Sequence, residues 1–396
     1  MSNSDKATAL AAIAGAALLF ASAAWAAPYR PNADAVVIEQ LSPAASALRQ
    51  WREPRRAVAN VTLDEALASA RHYLELGQTW SDPRLYGYAQ AALGSWWSAD
   101  PAPPRLLVMR ARILQFHHEF DASLAQLEPA LRADPFDADA WLLFASIEQV
   151  RGNVRAARAA CLKLLPIADP LVGATCTAST AALGGRSDQA EQLLANALVR
   201  PSQTSKAQRV WALTTLAEIR ARRADSTGAE AAFQQALALT PDDVYTRAAY
   251  ADLLLAQDRP REVRALLGGD PAQADATLLR VAIAAVRQHD PDAKALDDAF
   301  AERSDEARAR ADRTHLREQA RFLLDVRGDA AAALALARTN FTIQREPADA
   351  SILLESAIAA KDPAAAQPAL DWVQQTGIDA PTLLSLAQRV RSGASR

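Results

Sequence analysis

An internal period of about 34 residues constrains this chain most, because a unit of that length buries its apolar faces only by stacking on copies of itself. In a 34-residue frame laid on residues 210–243, Leu216 and Ala217 fall at positions seven and eight, and Ala229 at twenty. Phe233 follows at twenty-four, Ala236 at twenty-seven and Pro241 at thirty-two. Small residues at eight and twenty let two antiparallel helices approach closely, and large ones at seven and twenty-four fill the space to the neighbouring unit. Proline at thirty-two stops the second helix, because its ring cannot continue the turn.

The frame recurs. Residues 104–137 place Ala111 at eight, Ser123 at twenty, Leu127 at twenty-four, Ala130 at twenty-seven and Pro135 at thirty-two. Residues 138–170 follow without a gap, with Trp141, Phe144, Ala145, a turn at Gly152, and Ala157. Residues 171–204 supply Ala178, Gly185, Ala190, Leu194 and Ala197. The unit from Val244 has Tyr250, Ala251 and Leu267 but carries Val263 at twenty, and it breaks at Gly268-Gly269. Five units thus cover 104–270, and their residue pattern resembles the tetratricopeptide repeat. The resemblance implies an all-α, right-handed α-solenoid of antiparallel helix pairs acting as a protein-binding scaffold rather than an enzyme.

Weaker repeats flank that block. Upstream, residues 61–103 hold one pair, Leu63 to Leu76 and Leu85 to Trp97, with a long connection at 78–83. Downstream, in 271–396, Val281 and Ala282 with Ala295 fit the frame after one inserted residue, and Leu316 to Pro347 ends in a correctly placed proline. Ala348 to Trp372 reads as a further hairpin turning at Lys361-Asp362-Pro363.

The N-terminus carries an export signal. A polar start ending in Lys6 precedes an apolar run from Ala7 to Ala23 and then Ala24-Trp25-Ala26, a small-x-small site with cleavage expected after Ala26. This predicts a periplasmic or secreted protein. The alternative is an inner-membrane anchor made by residues 7–26 left uncleaved, since about 20 apolar residues span a bilayer. Residues 27–60 lack the period and read as a cap or linker, with Arg49, Trp51, Arg52, Arg55 and Arg56 on a solvated approach to the first repeat. A net charge of -3 argues against nucleic acid as partner, because phosphate neutralisation calls for a surplus of Lys and Arg.

No constellation for catalysis stands out, and no cofactor or metal is implied. The adjacent His117 and His118 point about 100° apart on a helix and fall at an inter-helix turn, so they are poor co-ligands. Gly184-Gly185-Arg186-Ser187 lacks phosphate-loop spacing and also falls at an inter-helix turn. The enzyme alternative is an envelope-polymer hydrolase, which would need a cleft with converging carboxylates such as Asp297, Asp298 and Glu302. Cys161 and Cys176 flank the turn between two units at similar distances, so a disulfide is feasible if their Cβ atoms face each other. The other reading is two small buried apolar side chains.

The tetratricopeptide resemblance further implies a concave groove lined by positions two, five, nine, twelve and thirteen of the first helices. Here those positions hold Arg105, Val108, Arg112, Gln115 and Phe116, then Asp139, Leu142, Ser146, Gln149 and Val150. Trp211, Thr214, Glu218 and Arg222 come from the unit at 210, and Tyr245 and Asp252 from that at 244. Aromatic, apolar and both signs of charge are mixed, so the expected partner is a protein or peptide without strong charge bias.

Overall fold

Aspartates set the phase of the helices. Asp137, Asp169, Asp225, Asp243 and Asp329 each precede a helix and accept a hydrogen bond from an N–H of its first turn, and Ser205 does the same as half of a capping box with Gln208. The computed structural model describes residues 61–80, 82–200, 203–269, 274–309 and 312–393. The expected signal segment and the cap at 27–60 lie outside these residues.

Among the described residues there is no strand, and the helices run as successive antiparallel pairs: α1 (Leu63–Trp80) with α2 (Arg84–Leu93), α3 (Pro104–Phe116) with α4 (Phe120–Ala133), and α5 (Ala138–Val150) with α6 (Val154–Leu164). Next come α7 (Pro170–Leu183) with α8 (Ser187–Leu198), α9 (Lys206–Arg222) with α10 (Ser226–Leu239), and α11 (Val244–Ala256) with α12 (Pro260–Leu267). Then follow α13 (Asp275–Gln288) with α14 (Ala293–Ala309), α15 (Leu316–Asp325) with α16 (Ala330–Ile343), and α17 (Pro347–Ala359) with α18 (Gln367–Thr376). A 3-10 turn at Pro363–Ala366 leads into α18, and α19 (Pro381–Ser392) closes the series. The chain is an all-α solenoid of helical hairpins.

The close-approach positions behave as their size requires. Ala111, Ala145, Ala178, Ala217, Ala251 and Ala282 are all buried where a first helix meets its partner. Ser123 is buried opposite Ala111, and its hydroxyl donates to the Ala111 carbonyl at 2.6 Å, which satisfies the one polar atom brought into that contact. Cys161 and Cys176 are bonded to each other across the α6–α7 junction, with Cα atoms 5.4 Å apart. Closing a segment of sequence separation 15 contributes about 3 kcal/mol in the chain-entropy account.

Two expectations fail locally. α1 runs on to Trp80, so the connection expected at 78–83 shrinks to 81–83; nothing before Pro83 breaks the helix. In the α13–α14 hairpin the buried residue is Leu296, and Ala295 faces out. His289 in the left-handed region and the turn through Asp292 insert one residue more than the frame allowed, which shifts the face of α14 that packs.

The period alone does not reveal that the array returns on itself. The segment between α16 and α17 meets the turns of the second and third hairpins: Arg345 N–H donates to the Val150 carbonyl at 2.7 Å, and the Gln344 amide lies 3.2 Å from His118 Nδ1. Further on, the segment after α18 meets the turn of the fourth. Ser187 donates from its N–H and hydroxyl to the two oxygens of Asp379, at 3.0 and 2.5 Å, and Gly185 sits directly against Gly377. Apolar contacts follow the same seam, with Leu183 buried among side chains of α15–α19 and Ile343 against the core of α3–α5.

Candidate functional site

The first helices of successive hairpins share an inner face, and polar pairs tie neighbour to neighbour along it. Arg112 approaches Asp139 at 3.7 Å, Ser179 donates to Gln149 at 2.7 Å, and Tyr245 donates to Glu218 at 2.6 Å. Asp252 accepts a bidentate pair from Arg280 at 2.9 and 2.6 Å. Because the array turns back, this face encloses a hollow.

Tyr245 marks the hollow. Its side chain is 62% exposed although charges of two later hairpins act on it, so it faces the inside of the returning array. The negative charge of Glu218, then burial, push its phenol well above the ordinary range, so it remains a hydrogen-bond donor. Charges of Arg317 and Glu346 also act on it across the hollow, from two later hairpins.

Arg317 is the cation at the centre of that opposite wall. It contacts Glu318 at 3.2 Å, Glu346 at 3.4 Å and the fully buried Asp349 at 3.5 Å. Burial acts to raise Glu318, but the combined pull of Arg317, His315 and Arg280 outweighs it and holds the carboxyl at about 2. Glu346 goes the other way. Burial and the neighbouring charge of Asp349 prevail over Arg317 and raise it to about 7. Asp349 is also raised by burial, against the opposing effect of Arg317 and of hydrogen bonds from Glu346 N–H at 2.8 Å and Asn340 Nδ2 at 2.8 Å.

The raised Glu346 has a measurable consequence. A carboxyl that is harder to ionise when folded favours the native state below its unfolded value of 4.5, and that contribution is lost as pH rises through about 7. Glu346→Gln should therefore melt higher than the parent at pH 8 and match it near pH 4.5, as followed by circular dichroism. An equal difference at both pH values would contradict this assignment.

The residues expected to face the groove divide into three groups. Glu218, Tyr245 and Asp252 belong to the hollow, and Arg112, Asp139 and Gln149 to its neighbour-to-neighbour pairs. Val108 and Thr214 are corrected: both are buried, Val108 in the core of α3–α5 and Thr214 through a 2.7 Å hydroxyl pair with Thr246 of the next first helix. The rest serve packing or local contacts. Phe116 stacks on Tyr86 at 4.2 Å, Leu142 and Trp211 pack on the core around the disulfide, and Arg105 pairs with Asp64. Ser146 donates to the Leu142 carbonyl of its own helix. Gln115 and Arg222 are half-buried at the ends of α3 and α9.

Arg317, Glu318, Glu346 and Asp349 went unread because they lie in the weaker repeats. Position two of the frame, carried into the hairpins at 316 and 348, selects Arg317 and Asp349. His118 stands at the inter-helix turn. It is half-buried at the seam, and burial, then the nearby His315, depress its imidazole to about 4.

Asp297, Asp298 and Glu302 do not converge on a cleft. Asp297 pairs with Arg327 at 2.8 Å, Asp298 pairs with Lys294 at 2.6 Å, and Glu302 is exposed. Among the described residues no group of three or more His, Cys, Asp or Glu could hold a metal ion, and no helix is long and apolar enough to cross a membrane.

No family model and no curated protein matches the chain. Among solved structures it is similar to TTC0263, a thermophilic tetratricopeptide repeat protein of Thermus thermophilus, at 19% identity and a TM-score of 0.39, over 49% of this chain and 100% of that one. A tetratricopeptide repeat protein of Parabacteroides merdae is similar at 14% identity and a TM-score of 0.33, over 83% and 98% of the two chains. The human IFIT1 dimer with PPP-AAAA is similar at 13% identity and 0.44, over 83% and 87%.

Proposed function

We propose that this tetratricopeptide-like helical repeat protein is a non-catalytic binding scaffold, exported from the cytoplasm, whose enclosed hollow holds an extended segment of a protein partner during assembly or regulation of a complex. Tyr245 carries the reading. An aromatic side chain held by Glu218 but left 62% exposed does little for folding, whereas a ring fixed in one orientation suits recognition at small entropic cost. The wall of the hollow offers a phenol donor, the Arg317 guanidinium and several carboxylates, so the partner segment presents both backbone carbonyls and basic side chains.

Export is supported by residues 1–26 and by the Cys161–Cys176 bond, which suits an oxidising compartment such as the periplasm. N-terminal sequencing of the envelope-purified protein should begin at Ala27. A chain still starting at Met1 would favour the anchored alternative.

Affinity capture from envelope extract, run in parallel with parent and Tyr245→Ala protein, tests the hollow. The variant should lose at least about tenfold of the captured partner while keeping the parent's melting temperature, since a large exposed aromatic contributes mostly to recognition. Undiminished capture by a folded variant would remove the hollow from consideration, and turnover of an envelope polymer by the purified parent would overturn the non-catalytic reading.

A further inference from the structure

Where the chain closes on itself, a cavity of about 810 Å3 opens between the turn of the third hairpin, the turn of the fourth and the end of α18. Its lining includes Gly152 and Arg155 and Arg158 of α6, Arg186 before α8, and Gln375 and Thr376 of α18. No acidic residue lines it, and none of the three arginines forms an ion pair with any described residue. Other arginines of the array, among them Arg151, Arg220 and Arg223, are paired with carboxylates.

Two further observations point to the same chemistry. Trp372 is 4% exposed and its indole N–H has no acceptor, although a buried N–H normally finds one. That nitrogen lies against Gly152 on the cavity's edge, 2.8 Å from where a Cβ of residue 152 would stand. The opening turn of α6 likewise lacks a side-chain acceptor, because Asn153 instead turns its amide to Glu148 at 2.6 Å. The buried unsatisfied group beside this cavity is therefore a donor, and the charged side chains that line it are all cationic.

We propose that the seam cavity is a binding site for a small phosphate-bearing anion, with Arg155, Arg158 and Arg186 as its guanidinium ligands and Trp372 and the first turn of α6 supplying further N–H donors. Three guanidinium groups suit a doubly charged tetrahedral oxyanion, which accepts several forked hydrogen bonds at once. The volume leaves room for an organic part beside the phosphate, along Gln375 and Thr376. Because α6 and α18 belong to hairpins far apart in the chain that meet at the seam, the site exists only in the closed chain. It is separate from the Tyr245 hollow, and neither reading depends on the other.

Isothermal titration of the full chain with inorganic phosphate and with glycerol phosphate, at low ionic strength, tests this. The parent should bind both saturably, with the ester tighter, and Arg158→Gln and Arg186→Gln should each weaken binding about tenfold without changing the circular dichroism spectrum. Trp372→Phe removes the indole N–H together with part of the ring, so it should weaken binding a few-fold while keeping the parent's circular dichroism spectrum. Arg132→Gln, on the surface of α4, should bind as the parent does. Absence of saturable heat with either anion, an equal response to sodium chloride at matched ionic strength, or parental binding by the Arg158 and Arg186 variants would each overturn the proposal.

Discussion

Gly185→Ala is expected to detach the C-terminal hairpins from the turns they rest on. A Cβ at this position would overlap the Gly377 carbonyl oxygen, a backbone atom that cannot rotate away, and the residue also has φ +70°. The left-handed backbone alone costs a non-glycine residue about 1–2 kcal/mol. To that is added separation of the seam, where the adjacent Ser187 gives Asp379 two hydrogen bonds of the charge-assisted kind, each worth about 1.5–3 kcal/mol. The variant should show a larger radius of gyration by small-angle X-ray scattering and rapid proteolysis between α17 and α19. Gly87→Ala provides the contrast, since a Cβ there meets nothing within 4 Å. It sits within α2 and should gain up to about 1 kcal/mol of stability. A Gly185→Ala protein with unchanged radius and protease resistance would show that the seam is not held at this point.

Phe233→Ala should produce the largest loss inside the array. The ring is among the largest fully buried side chains and stacks on Tyr250 of the next hairpin at 5.5 Å between centroids. Truncating a buried phenylalanine costs about 3–5 kcal/mol when the site cannot collapse, and rigid helices on both sides oppose collapse here. The loss should spread further, because the Tyr250 hydroxyl donates to Glu230 at 2.6 Å and Glu230 is paired with Arg259 at 2.8 Å. Urea denaturation should show a lower midpoint for Phe233→Ala than for the parent. A loss under about 1 kcal/mol would mean that neighbouring side chains refill the space.

Residues such as Ala217, Ala229 and Phe233 made the repeats legible because each answers a local demand that recurs at every hairpin: close approach, or filling the gap to the next unit. The packing face of α14 escapes the frame because turn length decides which face of a helix packs, and a left-handed histidine at 289 leaves no mark in a hydrophobic pattern. Of the inner-face positions, Glu218, Tyr245 and Asp252 carry polar pairs between first helices, whereas Val108 and Thr214 are buried. Whether Thr214 faces solvent or Thr246 depends on the angle between two first helices, which no single repeat encodes. The seam is less legible still: Ser187 and Asp379 are 192 residues apart, and neither belongs to a recurring position.

That seam also bears on how the chain folds. In an open repeat array each unit depends only on its neighbours, so structure can start anywhere and fray from either end. Here the pairing of Ser187 with Asp379 and of Arg345 with Val150 adds contacts of very large sequence separation. Loop-closure entropy opposes such contacts until the intervening hairpins have formed. The last event in folding is then the meeting of two parts of an already ordered array, and the C-terminal hairpins gain protection from unfolding that an open array would lack. Cooperativity across the array, normally limited by its one-dimensional character, is restored by making the line into a loop.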